Sequence, residues 1–110
     1  MNNKGLHCTA DIYLGSATSD DDLIFLCEKA IELTGLNVVS SMHKKFKPSG
    51  VTSVWILEES HFTLHTYPEH QYLSVDCYTC GSEGNPGAAI DMLIESLHTI
   101  KTIRNRLERG

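Results

Sequence analysis

Residues 61–80 read HFTLHTYPEHQYLSVDCYTC, and two stretches of this segment alternate between polar and apolar side chains. In the first stretch, His61, Thr63 and His65 share one face. In the second, residues 72–80, leucine, valine and cysteine oppose tyrosine, serine and aspartate. Alternation with a period of two is typical of a strand that has one buried and one open face. Both stretches are therefore predicted strands of a sheet.

The sequence on the N-terminal side adds more strands and a helix. Residues 7–14 alternate in the same way, and residues 37–46 and 51–57 are also predicted strands. After the first of these strands, Ser19 is a suitable N-cap and three aspartates follow it. Apolar residues then recur at helical spacing until Gly35, which is a suitable stop. This pattern predicts a helix.

A last helix is predicted to begin near residues 86–88 and to continue to the basic end of the chain. Its apolar stripe and basic end comprise Ile90, Leu93, Ile94, Leu97 and Ile100, and Lys101, Arg104, Arg106 and Arg109. The predicted order is β-α-β-β-β-α, and this prediction allows one of the middle strands to be split into two. Striped helices and alternating strands together predict an α+β fold, in which two helices pack on one face of an antiparallel sheet as a two-layer sandwich.

The sheet face opposite the helices is predicted to carry the chemistry. If the strand registers follow the alternation, this face holds His61, His65, Asp76, Tyr78 and Cys80. Such a face is too polar for a core, and it is richer in reactive groups than an ordinary solvated surface. It is therefore the predicted position of the active site.

Composition limits the class of protein. The 110 residues suit one domain, 41% of them are hydrophobic, and the net charge of −5 argues against a nucleic-acid binder. We expect no membrane partner and a cytoplasmic location, because the sequence has neither an apolar run of spanning length nor a signal peptide. The Cys77-x-x-Cys80 pair would point to opposite faces of a strand, so we expect no redox pair and no metal site there.

Four strings in the chain carry a family resemblance. They are ESHFTLHTYPE at residues 59–69, YTCG at 78–81, GLHCTAD at 5–11 and FKPSGV at 46–51. In this order and at this separation they resemble the prokaryotic-type S-adenosylmethionine decarboxylase proenzymes, which are pyruvoyl-dependent. The resemblance covers nearly the whole chain.

The resemblance implies that the protein makes its own cofactor. The Ser60 hydroxyl would attack the carbonyl carbon of Glu59, and elimination and hydrolysis would leave a pyruvoyl group at position 60. The single domain 1–110 would thereby become a β chain, 1–59, and an α chain, 60–110. The pyruvoyl group would bind the substrate amine as a Schiff base and accept the electrons left by carbon dioxide.

The resemblance also implies the roles of other side chains. His65 matches the processing histidine, Thr52 the processing hydroxyl and Cys80 the acid that returns a proton to the substrate carbon. Thr52 stands where relatives carry serine. The substrate-binding residues implied are Phe46, Tyr67, Glu69 and Asp11.

The implied partner set is a small-molecule substrate and a second copy of the chain, as a homodimer of processed protomers. The product would be the aminopropyl donor for spermidine synthesis. One alternative keeps the pyruvoyl chemistry but acts on free ornithine or arginine, because Ser60, His65 and Cys80 do not distinguish substrates. A second is a non-catalytic homologue, which the presence of all three residues argues against. A third is a small thiol-redox or metal protein.

Overall fold

The protein is described here as a computed structural model that covers residues 4–80 and 84–110. Its elements follow the order β-α-β-β-β-β-α-β. They are β1 (Gly5–Leu14), α1 (Asp20–Leu33), β2 (Val38–Lys45), β3 (Val51–Leu57), β4 (His61–Tyr67), a short 3-10 helix (Pro68–His70), β5 (Tyr72–Cys80), α2 (Pro86–Glu95) and β6 (Thr99–Arg109).

The six strands form one sheet in the order β2-β3-β4-β5-β1-β6, and every neighbouring pair is antiparallel. Both helices contact each other and the central strands. They pack on a single face, because the buried alternate residues of those strands join the buried helix residues in one core. The largest buried side chains include Trp55, Phe62, Ile12, Leu23, Ile31, Leu57, Leu64 and Leu73. The predicted α+β two-layer architecture is confirmed.

The local patterns explain where the helices begin and end. Ser19 caps α1, because its hydroxyl accepts a hydrogen bond from the backbone of Asp22 at 3.1 Å. Gly35 follows the end of this helix with φ of 81°, a left-handed conformation that glycine adopts without steric cost. With 14 and 10 residues, neither helix in the described ranges has the length and apolar character required to cross a bilayer.

The predicted last helix is wrong beyond Glu95. Ser96 caps α2, and the residues assigned to its basic end instead form β6, which pairs with β1. A longer helix is predicted because apolar residues keep a helical spacing at Ile90, Leu93, Leu97 and Ile100. However, β-branched residues cluster from Thr99 onward and favour a strand. The predicted element order therefore lacked this terminal strand. The middle region contains four strands, as the option of a split run allowed.

Candidate active site on the open face of the sheet

The sheet face that the helices leave uncovered, hereafter the open face, carries the predicted reactive residues. Along β4 and β5 the helix-facing positions are buried, whereas the alternate positions are partly exposed. The partly exposed set includes His61, His65, Asp76, Tyr78 and Cys80. The predicted face is thus the observed one, because a strand turns alternate side chains to opposite sides.

Ser60 lies in the tight connection between β3 and β4. Its carbonyl accepts a hydrogen bond from the backbone of Leu57 at 2.9 Å, which closes the hairpin. The Cys80 thiol at the end of β5 donates to Glu59 Oε2 at 3.1 Å. This contact brings the predicted scissile bond and the predicted proton donor together at one end of the sheet, hereafter the hairpin end.

A cluster of imidazoles surrounds Asp76 beside the hairpin end. His7 Nε2 donates to Asp76 Oδ2 at 2.7 Å, and His61 Nε2 approaches the same oxygen at 3.1 Å. The Thr63 hydroxyl donates to the other oxygen, Oδ1. The Tyr78 ring packs against both imidazoles, with centroid separations of 5.8 Å from His7 and 5.9 Å from His61.

Five other predicted site residues line a cleft at the opposite end of β3 and β4, hereafter the cleft end. The cleft has a volume of about 280 Å³. Its lining includes Phe46, Thr52, His65, Tyr67 and Glu69. Within it, Thr52 Oγ1 and His65 Nδ1 are hydrogen bonded at 3.1 Å, because β3 and β4 place these two residues directly opposite each other.

Asp20 at the start of α1 links the cleft end to the helix layer through hydrogen bonds. One carboxylate oxygen accepts from the Gly50 backbone at 2.9 Å and the other accepts from the Thr66 hydroxyl at 2.8 Å. The same hydroxyl accepts from the Val51 backbone at 2.8 Å. These three bonds fix the backbone on either side of the Thr52–His65 pair.

Asp11 lies on the open face, at the same level of the sheet as His65 but two strands away. The Tyr72 hydroxyl donates to Asp11 Oδ1 at 2.5 Å, and this hydrogen bond raises the pKa of Tyr72. The Tyr72 ring also lies between the rings of Tyr13 and Tyr67, at 5.1 Å and 5.3 Å. Asp11 therefore belongs to a tyrosine row that borders the cleft end.

Within one chain the structure does not bring Ser60 and His65 together. His65 lies five positions beyond Ser60 along an extended strand. At about 3.3 Å per residue, the two are about 16 Å apart. The predicted residues therefore divide into two groups, with Glu59, Ser60 and Cys80 at the hairpin end and the Thr52–His65 pair at the cleft end.

The other three cysteines are core residues, as predicted. Cys8, Cys27 and Cys77 are buried, and burial raises the pKa of the Cys8 and Cys27 thiols. Cys80 is on the opposite face from Cys77 and is partly exposed. Buried thiols of this kind are poor nucleophiles and poor ligands.

Sequence reasoning gave no role to His7, Thr63 or Asp20. His7 and Thr63 stood in the recognised strings and on the polar face of alternating strands, so their position was visible. Their convergence on Asp76 was not visible, because it depends on which strands pair and in which register. From the sequence pattern, Asp20 is predicted only to be a favourable charge at a helix start.

Comparison with known proteins gives concordant results. A sequence model of the family described as S-adenosylmethionine decarboxylase matches residues 6–110. S-adenosylmethionine decarboxylase proenzyme 2 of Bacillus anthracis is 38% identical over 109 residues, covering 96% of this chain and 89% of that protein. The proenzyme of Aquifex aeolicus is also 38% identical over 109 residues, covering 96% and 81%.

A solved structure extends the similarity to the fold. The crystal structure of the adenosylmethionine decarboxylase from Aquifex aeolicus matches with a TM-score of 0.87 at 34% identity, covering 100% of this chain and 93% of that chain. These comparisons give no support to an ornithine or arginine decarboxylase.

Proposed function

The chain belongs to the S-adenosylmethionine decarboxylase family, and from that premise we propose that it is a self-processing, pyruvoyl-dependent enzyme that decarboxylates S-adenosylmethionine. The observation that carries the proposal is the contact of 3.1 Å between Cys80 Sγ and Glu59 Oε2 beside Ser60. This contact supports the proposal that the chain is cleaved, and that the substrate carbon receives its proton, at the same end of the sheet. The corresponding cellular proposal is a cytoplasmic enzyme that supplies the aminopropyl donor for spermidine.

The proposed processing step consumes one water molecule and no other small-molecule reactant. Ser60 Oγ attacks the carbonyl carbon of Glu59, and the amide becomes an ester. Loss of the α-proton of residue 60 then expels the Glu59 carboxylate and leaves dehydroalanine. Its imine form takes up water and releases ammonia, which leaves a pyruvoyl group at the start of 60–110.

The residues at position 60 and around it fit such a group. Ser60 lies in a turn and is partly exposed, so a reacting atom there is accessible from the open face. A pyruvoyl group supplies an electron sink for the carbanion that decarboxylation leaves. Cys80, beside Glu59, is the proposed donor of the proton that the substrate carbon must receive, since a thiol can act as a general acid.

A homodimer is proposed because one chain does not complete the site. The elimination needs a base, and His65 is about 16 Å from Ser60 in the same chain. If two open faces pack together in opposite directions, the partner's His65 and the partner's Thr52 approach Ser60. The open face has the apolar side chains that such packing needs, because Ile56, Ile103 and Leu107 are 51%, 42% and 59% exposed.

The cleft end is proposed to bind the substrate. Phe46 and Tyr67 offer aromatic faces for an adenine ring, and Glu69 offers a carboxylate near the sulfonium charge. Asp11 lies on the same face beside the tyrosine row. In the proposed dimer this cleft opens toward the hairpin end of the partner, where the reacting atoms lie.

The test is a decarboxylation assay with carboxyl-labelled S-adenosylmethionine, ornithine and arginine, each at the same concentration. We expect labelled carbon dioxide from S-adenosylmethionine alone, and none from the Ser60→Ala variant. Release from ornithine or arginine without release from S-adenosylmethionine would overturn the substrate assignment. Activity that survives in Ser60→Ala would overturn the cofactor assignment.

A further inference from the structure

The imidazole cluster beside the hairpin end has a geometry that the proposed reaction does not require. His7 on β1 and His61 on β4 both pair with Tyr78 on β5, one from each side. Asp76 lies two residues earlier on that central strand. Sheet register alone therefore turns two imidazoles from different strands toward one carboxylate.

The three ligand atoms are close enough to share one ion. His7 Nε2, His61 Nε2 and an Asp76 carboxylate oxygen all lie within 4.8 Å of one another. In a tetrahedral zinc site with bonds of about 2.0 to 2.1 Å, ligand atoms are about 3.3 Å apart. The observed separations from Asp76 Oδ2, 2.7 Å and 3.1 Å, require only a small opening.

The surroundings orient the ligands as those of metal sites do. The Thr63 hydroxyl donates to the second oxygen of Asp76, which leaves Oδ2 directed at the imidazoles. The Tyr78 ring restrains both imidazoles by packing against them. Within one chain the side chains of His7 and Asp76 are about three-quarters buried, at 23% and 26% exposed, so their positions are restrained.

We propose that His7, His61 and Asp76 form a binding site for one divalent ion of the zinc class. Two imidazole nitrogens and one carboxylate oxygen are a donor set that suits such ions. Three protein ligands leave a further coordination position for water. A bound ion links β1, β4 and β5 through these three side chains, and one of them, His61, directly follows Ser60. This inference does not depend on cleavage at Ser60, and the site lies on the open face that the proposed homodimer would cover.

The test uses the purified protein, stripped with a chelator and titrated with zinc chloride by calorimetry. We expect about one ion for each set of residues 1–110, whether cleaved or not, and a loss of affinity of at least tenfold in His61→Ala. The matched control is His70→Ala, because His70 is an exposed histidine on the 3-10 helix, away from the cluster. It should bind zinc like the original chain.

Two further measurements keep the inference testable if His61→Ala is unstable. Asp76→Asn keeps the side-chain shape and should also weaken binding at least tenfold, whereas Thr63→Val removes only the orienting hydroxyl and should weaken it by a smaller factor. With cobalt as the probe, the spectrum should lack a sulfur-to-metal charge-transfer band, since Cys80 is not a ligand. Absence of stoichiometric binding, equal binding by His61→Ala and His70→Ala, or a sulfur band would overturn the proposal, leaving a hydrogen-bonded network.

Discussion

Cys80 is the proposed proton donor in decarboxylation, and we propose no role for it in cleavage. Its thiol reaches the Glu59 side chain at 3.1 Å. Cys80→Ala should therefore still be cut, while decarboxylation falls about 100-fold or more, the usual contribution of a general acid. Cys80→Ser should behave similarly, because a hydroxyl has too high a pKa to donate efficiently. Mass spectrometry measures cleavage and the label assay measures decarboxylation. If the Cys80→Ala chain stays uncut, Cys80 takes part in processing.

Thr52 stands where the resemblance expects serine, and its hydroxyl is bonded to His65 Nδ1 at 3.1 Å. Thr52→Ser keeps that bond and should process at close to the original rate. Thr52→Val keeps the shape but removes the bond, and processing should slow about tenfold, the factor that corresponds to about 1.4 kcal/mol in the transition state. Time courses of chain cleavage measure both rates. Equal rates for Thr52→Val and the original chain would show that the hydroxyl has no part in processing.

At the scale of elements, α1 holds the cleft end through Asp20. Asp20→Ala removes the bonds to Gly50 and Thr66, and we expect unfolding to be easier by about 2 kcal/mol. Asp22→Ala is the matched control, because it removes an exposed charge from the same helical turn. Thermal unfolding of the two variants measures the difference. If both lose the same stability, the effect belongs to the helix dipole rather than to the bonds.

The elements that could be predicted are those whose pattern is local. The strands β1, β4 and β5 alternate cleanly, and the cap at Ser19 and the stop at Gly35 follow from single residues. The strand β6 was missed because it lies at the edge of the sheet, where nearly all of its residues are exposed and no buried face marks the period. Its pairing with β1 joins distant parts of the chain, which a local pattern does not reveal.

The residues of the candidate site could be proposed from the sequence, whereas their arrangement in space could be predicted only in part. Ser60, His65 and Cys80 were recognised from the strings that contain them. The distance between Ser60 and His65 could have been read from five positions on a predicted strand. The cluster around Asp76 could not, because it requires the order β4-β5-β1 and the register that sets His7 and His61 opposite Tyr78.

In the whole molecule, Ser60 and His65 of one chain lie at different ends of the sheet. Complementation between two variant subunits therefore tests whether a dimer shares its active sites. Ser60→Ala and His65→Ala chains, expressed together, should form mixed dimers in which one of the two sites has an intact Ser60 and the partner's intact His65. With random pairing, about a quarter of the original sites should recover.

The controls for this experiment are the two variants expressed alone. Ser60→Ala has no serine to convert, and His65→Ala lacks the proposed base in both sites, so each should show little cleavage. Cleavage and label release that appear only on co-expression would establish a shared site. If co-expression gives no more activity than the two variants alone, His65 acts within its own chain or not at all.

Self-cleavage between Glu59 and Ser60 is the step on which the proposed pyruvoyl chemistry depends, and the intact mass of the purified protein under denaturing conditions reveals whether it occurs. We expect two chains, 1–59 and 60–110, with the mass of the second showing a pyruvoyl group in place of its first serine. Ser60→Ala should remain one chain of 110 residues. A single uncut chain from the original protein after long incubation would show that the protein does not process itself.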